Sequence, residues 1–188
     1  VKVGQYNTLV IQRFTAFGAF LEDGKEGLLL PKRFVPARAK VGDAIEVFVY
    51  HDSEDRMIAT TQKPKATAGE IALLRAVTVT HQGAFLDWGL MKDLFVPRSK
   101  QLSGMRAGAD YLVKIYIDVQ TGRVAATQKF QHQLKENEIS LKENDPVNLL
   151  VTRQTELGFE VIVNGLHIGL IHFSDIFYEM KIGERLKG

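Results

Sequence analysis

The stretch "FTAFGAFLEDG", Phe14 to Gly24, sets three phenylalanines around one glycine and closes on another. About 65 residues later "HQGAFLDWG", His81 to Gly89, repeats Gly-Ala-Phe-Leu and again closes on glycine. Both copies read as short strands, and glycine inside a strand marks a bulge or a sharp bend. The fold depends on whether the two are a coincidence or parts of a longer repeat.

The surrounding sequence stays in register, as a true internal repeat requires. "LLLPKR" (Leu28–Arg33) lies over "LFVPRS" (Leu94–Ser99) at an offset of 66. "VGD" (Val41–Asp43) meets "AGA" (Ala107–Ala109), and "IATTQK" (Ile58–Lys63) meets "VAATQK" (Val124–Lys129), both at 66. A fainter third copy, "LGFEVIVNGLHIGLIHFSDIF", runs from Leu157 to Phe177. There Gly158 takes the place of Gly18, "IGLIH" that of "EGLLL", and Gly183 that of Gly42. Five residues follow Gly183, where the earlier copies continue for about 20, so the third unit reads as truncated.

Each full copy breaks into short alternating segments rather than helical spacing. In the first, "YNTLVIQRF", "GAFLED", "EGLLLP", "DAIEVFVYHD" and "DRMIATTQK" read as five strands. The predicted core is Leu9, Ile11, Leu28, Leu30, Ile45, Val47 and Ile58, with Val49 also inward and Glu46 and Phe48 outward. Five strands in 60–65 residues suit a small closed Greek-key barrel. The predicted class is therefore all-β, with tandem five-stranded OB-fold barrels. The expected layout is a barrel over 1–64, another over 65–131, a linker over 132–144 and a partial barrel over 145–188. The polar linker is long enough for a short helix, or to let the third unit swing.

Composition bounds the chemistry. The chain has no cysteine, which excludes disulfides, thiolate metal sites and cysteine nucleophiles. It shows neither an apolar run near the roughly 20 residues of a membrane span nor an export signal, so a cytoplasmic protein is expected. Net charge is +2, weakly basic for a protein held to nucleic acid by charge alone. Lys/Arg against Asp/Glu runs 9 to 8 over residues 1–64, 9 to 5 over 65–131 and 6 to 9 over 132–188. A phosphate partner should favour the middle third. Walker, dinucleotide-binding, zincin and nucleophile-elbow signatures are missing. His167 and His172 are poorly spaced for a metal and His81 reads as a surface residue, so neither metal, cofactor nor catalysis is expected.

The residues left for function are aromatic and basic. Phe17 and Phe20 are either core or a platform on which bases stack. The second copy has Gln82 in place of Phe17, keeps Phe85 and adds Trp88, which is either a lid on the barrel or a ligand contact. Lys32 and Arg33, with Arg38, follow the third strand, and Arg98 and Lys100, with Arg106, follow its repeat. They are either a solvated loop or phosphate contacts. Asp52 with Arg56 and Asp118 with Arg123 flank the last hairpins, as weak ion pairs or as arginines held ready for a base or phosphate.

These segments resemble the RNA-binding S1 domain. The tandem order, with "GAFLDWGLMKDLFVP" in the second unit, resembles the bacterial conserved virulence factor B family. In that family S1-type domains precede a C-terminal winged helix, which has no counterpart in this sequence. The resemblance implies single-stranded RNA as partner and a role in RNA-linked regulation of gene expression. It implies a binding face of Phe17, Phe20, Asp52 and Arg56 in the first unit. The second unit's face would hold Phe85, Asp118 and Arg123, and the third's His172. The histidine position reads as Leu30 and Val96 in the first two copies, and no copy holds the full set. The other reading is a protein-interaction scaffold whose barrels have lost nucleic-acid binding. DNA binding is a third.

Overall fold

The computed structural model describes residues 1–131 and 140–188. Unit one contains β1 (Tyr6–Thr15), β2 (Gly18–Leu21), β3 (Leu28–Pro31), β4 (Ala44–His51) and β5 (Met57–Thr60). They form a closed barrel in the order β1-β2-β3-β5-β4. Unit two repeats it with β6 (Ile71–Val79), β7 (Gly83–Asp87), β8 (Leu94–Pro97), β9 (Asp110–Ile117) and β10 (Val124–Thr127). Its hydrogen-bonded order is β10-β9-β6-β7-β8, and β8 lies alongside β10. Unit three holds β11 (Asn148–Gln154), β12 (Gly158–Val163), β13 (His167–His172) and β14 (Arg185–Lys187), ordered β13-β12-β11-β14. A 3-10 turn follows each third strand, at Lys32–Phe34, Arg98–Lys100 and Phe173–Asp175. The all-β OB class predicted from the sequence is the class observed, with a smaller third sheet.

The same local devices recur in all three units. The first strand bulges once, between Ile11 and Arg13, Ala76 and Thr78, and Val151 and Arg153. A bulge bends and twists the strand so that a small sheet can close. Beside it the N–H groups of Gly42, Gly108 and Gly183 donate to Ile11, Ala76 and Val151 carbonyls, each at 2.8 Å. The turn into the second strand is pinned by a threonine. Thr15 Oγ1 donates to the Gly18 carbonyl and accepts from the Phe17 N–H, both at 3.3 Å. Thr80 and Thr155 do the same around Gln82 and Leu157.

Glycine at 18, 83 and 158 has one shared cause. A Cβ there would collide with the carbonyl oxygens of Leu30, Val96 and Ile171, because the third strand crosses directly over the turn. Overpacking against backbone costs about 1–3 kcal/mol, sometimes more. Gly18→Ala should therefore lower the unfolding free energy by about 1–3 kcal/mol, read as a fall in the denaturant midpoint at unchanged slope. An unchanged midpoint would contradict the close crossing.

Strand pairing corrects one alignment. Gly18 pairs with Pro31, Gly83 with Pro97 and Gly158 with His172. Pro31 and Pro97, rather than Leu30 and Val96, therefore occupy the place of His172. Leu30 and Val96 point inward and are fully buried. A one-residue slip moves a side chain to the opposite face of the sheet.

Barrel one is filled by Ile11, Ala19, Leu21, Leu28, Leu30, Val47, Val49 and Ala59, with Leu9 and Ile45 partly buried. Phe48 and Ile58 depart from expectation. Phe48 is on the outer face of its strand, as alternation requires, but it is buried there. Ile58, expected inside, is also on the outer face. Both join Tyr50 and Ala66 in a cluster with Leu74, Leu86, Trp88, Leu94, Met105 and Ile115 of unit two. The outside of one barrel wall is thus continuous with the core of the next. The connecting segment is strapped to both units. Lys65 N–H donates to the Trp88 carbonyl at 2.8 Å, Ala68 N–H to Gly4 at 2.9 Å and Gly69 N–H to Ile115 at 2.8 Å. Unit three packs Leu150 and Ile162 on Ile71 and Phe130, and Arg185 Nη2 donates to the Ile71 carbonyl at 3.3 Å. The linker expectations fall largely on residues 132–139, outside the described residues.

Candidate nucleic-acid interface

In unit one the threonine-pinned turn carries Phe17 out of the barrel, leaving it 77% exposed. Phe20 is half-buried on β2, with the Arg13 guanidinium 4.2 Å above one ring face. Both line a cavity of about 540 Å³ with Leu29, Pro31, Arg33 and Arg56. Asp52 is also there, but its carboxylate holds the hairpin together. It accepts from the N–H groups of Glu54 at 2.9 Å and Arg56 at 3.0 Å, and from Arg56 Nη2 at 2.8 Å. Burial acts to raise the Asp52 pKa, yet the hydrogen bonds from Arg56 and Glu54 outweigh it and hold the pKa low. Asp52 is thus the brace, and Arg56, its side chain 63% exposed and its Nη1 also paired with Glu54 at 2.8 Å, is the group at the surface.

In unit two Gln82 and Phe85 line a cavity of about 330 Å³ with Phe95, Pro97, Asp118 and Arg123. Phe95 is opposite Phe85 in the register, their ring centroids 5.0 Å apart. Unit one has Leu29 at that place. The second aromatic of unit two therefore comes from the third strand and offsets the loss at Gln82.

The hairpin pair of unit two does not form. One extra residue separates Asp118 from Arg123, and Thr121 takes the arginine's place on Asp118, donating from N at 2.9 Å and Oγ1 at 3.1 Å. Arg123 Nη2 instead reaches across to Asp55 of unit one at 2.8 Å. Lys92 Nζ joins it, donating to the Asp52 carbonyl at 2.7 Å and lying 3.8 Å from Asp55.

Trp88 lies at the floor of this cavity, but it is only 2% exposed. Its ring meets Phe48 edge-on at 5.6 Å and Tyr50 at 6.3 Å, and its Nε1 donates to the Lys92 carbonyl at 2.6 Å. Of the two roles open to it, the structure places it as a lid between barrels. A ring so enclosed has no free face for a base.

Lys32, Arg98 and Lys100 are exposed on the 3-10 turns, next to Pro31 and Pro97 but outside both cavity linings. His172 is exposed at the end of β13. Unit three differs chemically at this face. Leu157 follows the pinned turn where unit one has Phe17, and Glu160, paired with Arg153 at 2.9 Å, takes the register place of Phe20. A carboxylate there offers no stacking face and repels phosphate.

Several lining residues were not singled out from the sequence. Tyr50, His51, Met91, Lys92 and Phe95 all face the cavities. Tyr50 recurs as Tyr116 and Phe95 aligns with Leu29, so the repeat itself carried a signal. Burial, together with the positive charges of Lys92 and Arg123, holds the His51 pKa below normal. Among the described residues no cluster of His, Asp or Glu suits a metal ion, and no helix is long and apolar enough to cross a membrane.

Comparison with known proteins agrees with the fold. An uncharacterized protein of Bacillus subtilis, YitL, is 37% identical over 97 residues, which is 51% of this chain and 33% of that protein. The aligned stretch thus spans about a third of that relative's length. A crystal structure of a multidomain protein with nucleic acid binding domains from Streptococcus pneumoniae superposes with a TM-score of 0.60. That alignment covers 98% of this chain and 67% of the other at 20% identity, a likeness of fold. Residues 3–62, which make up the first barrel and expose Phe17, match the S1 domain family.

Proposed function

We propose that this chain binds single-stranded RNA without catalysing a reaction on it, through the matching faces of units one and two. The carrying observation is Phe17, 77% exposed, beside the Phe20 ring in a cavity that also presents Arg33 and Arg56. Flat wet rings next to guanidinium groups suit unstacked bases on a phosphate backbone, at about 1–3 kcal/mol per stacked base. The S1 match over residues 3–62 supports the same ligand class. The role in RNA-linked regulation implied by the resemblance rests on this binding. Two modest faces on one chain reinforce each other through effective concentration.

The test is titration of a labelled uridine oligonucleotide with the full chain at low and high salt, with a deoxyribose oligonucleotide in parallel. Binding should weaken with salt, with a slope of about −0.7 per phosphate neutralised. The RNA should bind more tightly than the DNA. Absence of binding at high micromolar protein in low salt would overturn the proposal and favour the scaffold reading.

A further inference from the structure

The two cavities are neighbours with a shared wall. Tyr50 and Lys92 line both, the first supplied by unit one and the second by unit two. The larger cavity belongs mainly to unit one, yet Met91 of unit two closes it. The smaller lies on unit two, yet Tyr50 and His51 of unit one form part of its lining. Neither face is complete without the other barrel. The seam is fixed by the buried Phe48–Tyr50–Trp88 cluster and by the reach of Lys92 and Arg123 to the Asp52–Asp55 hairpin.

We propose that this seam is itself a nucleotide-binding subsite. One strand of RNA would run from the Phe17–Phe20 face, past Tyr50 and Lys92, into the Phe85–Phe95 cavity, so units one and two form one continuous site. This rests on the RNA-binding reading above and adds contacts that a single S1 barrel lacks. The chemistry of the seam divides. Lys92 and Arg123, held by Asp55, form the cationic side and suit a phosphate. Asp93 and Asp118 line the same cavity and suit base edges carrying amino donors. Burial pushes the Lys92 pKa down against the pull of Asp55, as expected for a cation partly withdrawn from water. His51 Nδ1 is buried and has no hydrogen-bond partner among the described residues.

Trp88 is the chain's only tryptophan, lies at the floor of the seam cavity and bonds to Lys92. Its emission therefore reports whether the seam is occupied. The experiment titrates cytidine oligonucleotides, whose bases carry an amino donor, of about four and about sixteen nucleotides, the range of site sizes for one OB face. Anisotropy of a label reads binding, and Trp88 emission reads the seam. The longer strand should bind at least roughly 100-fold more tightly than the shorter, the lower end of gains from linked sites. It should shift Trp88 emission along the same binding curve. Lys92→Gln should remove most of the length advantage. Its effect on the shorter strand should be several-fold smaller. Binding of the longer strand that leaves Trp88 emission unchanged, or a length advantage indifferent to Lys92→Gln, would overturn the continuous site and leave RNA binding standing. No anisotropy change with either strand would overturn both. The wild-type emission readout decides the question even if Lys92→Gln misfolds.

Discussion

Trp88→Ala is expected to lower the unfolding free energy by about 3–5 kcal/mol, the range for removing a large buried aromatic side chain. That is a large share of the roughly 5–15 kcal/mol a typical protein possesses. The reason is position as much as size. Trp88 belongs to unit two by sequence, yet it packs on Phe48 and Tyr50 of unit one. The substitution should therefore loosen both barrels together, and circular dichroism should show one cooperative transition at lower denaturant. Trp88→Phe, which keeps an aromatic ring but drops the Nε1 bond to Lys92, should recover part of the loss. A change below about 1 kcal/mol, within the ordinary range for a single substitution, would mean that the barrels stand independently.

The second large effect concerns binding. Replacing both Phe17 and Phe20 with alanine should weaken single-stranded RNA binding by roughly 5- to 150-fold per ring, from stacking of about 1–3 kcal/mol each. The stability effects should divide. Phe17 is mostly in water, so its loss should change stability by less than about 0.5 kcal/mol. Phe20 is half-buried under Arg13 and should cost more. RNA affinity unchanged by Phe17→Ala, in protein of normal stability, would contradict the stacking face. Phe85→Ala should act in the same direction in unit two, because Phe85 and Phe95 are its paired rings.

Much of this was legible in the sequence, for reasons that particular residues show. The threefold repeat was readable because the sharp second-strand turn demands glycine at 18, 83 and 158, wherever the rest drifts. The sequence leaves Phe17 and Phe20 open between core and platform; smaller aliphatic residues fill the barrel and leave Phe17 outside. A shared face for Phe20 and Arg56 is implied by the resemblance to the S1 domain, and the structure adds Arg33 to their cavity.

The unread part lies mostly at the seam. Alternation gives a strand two faces but does not say what covers the outer one. Phe48 was therefore read as outward and Ile58 as core, when unit two covers the outer side of both β4 and β5. Trp88 was ambiguous for the same reason. The His172 slip arose because "IGLIH" and "EGLLL" align their glycines in text, whereas pairing follows Gly158 and Gly18. The Asp118–Arg123 pair failed because one added residue let Thr121 satisfy Asp118 and freed the arginine to cross to Asp55. That partner is distant in sequence, and no local pattern announces it. Lys92 likewise has no periodic signature, since its role depends on the docking of two barrels.

The most direct test of the central claim is photocrosslinking of a thiouridine-containing oligonucleotide to the full chain, with mass spectrometry of the linked peptides. Adducts should fall on the peptides holding Phe17 and Phe20 and on those holding Phe85 and Phe95, with Tyr50 or Lys92 between them. Adducts confined to unit three would show that RNA reaches the protein elsewhere and would contradict the aromatic face.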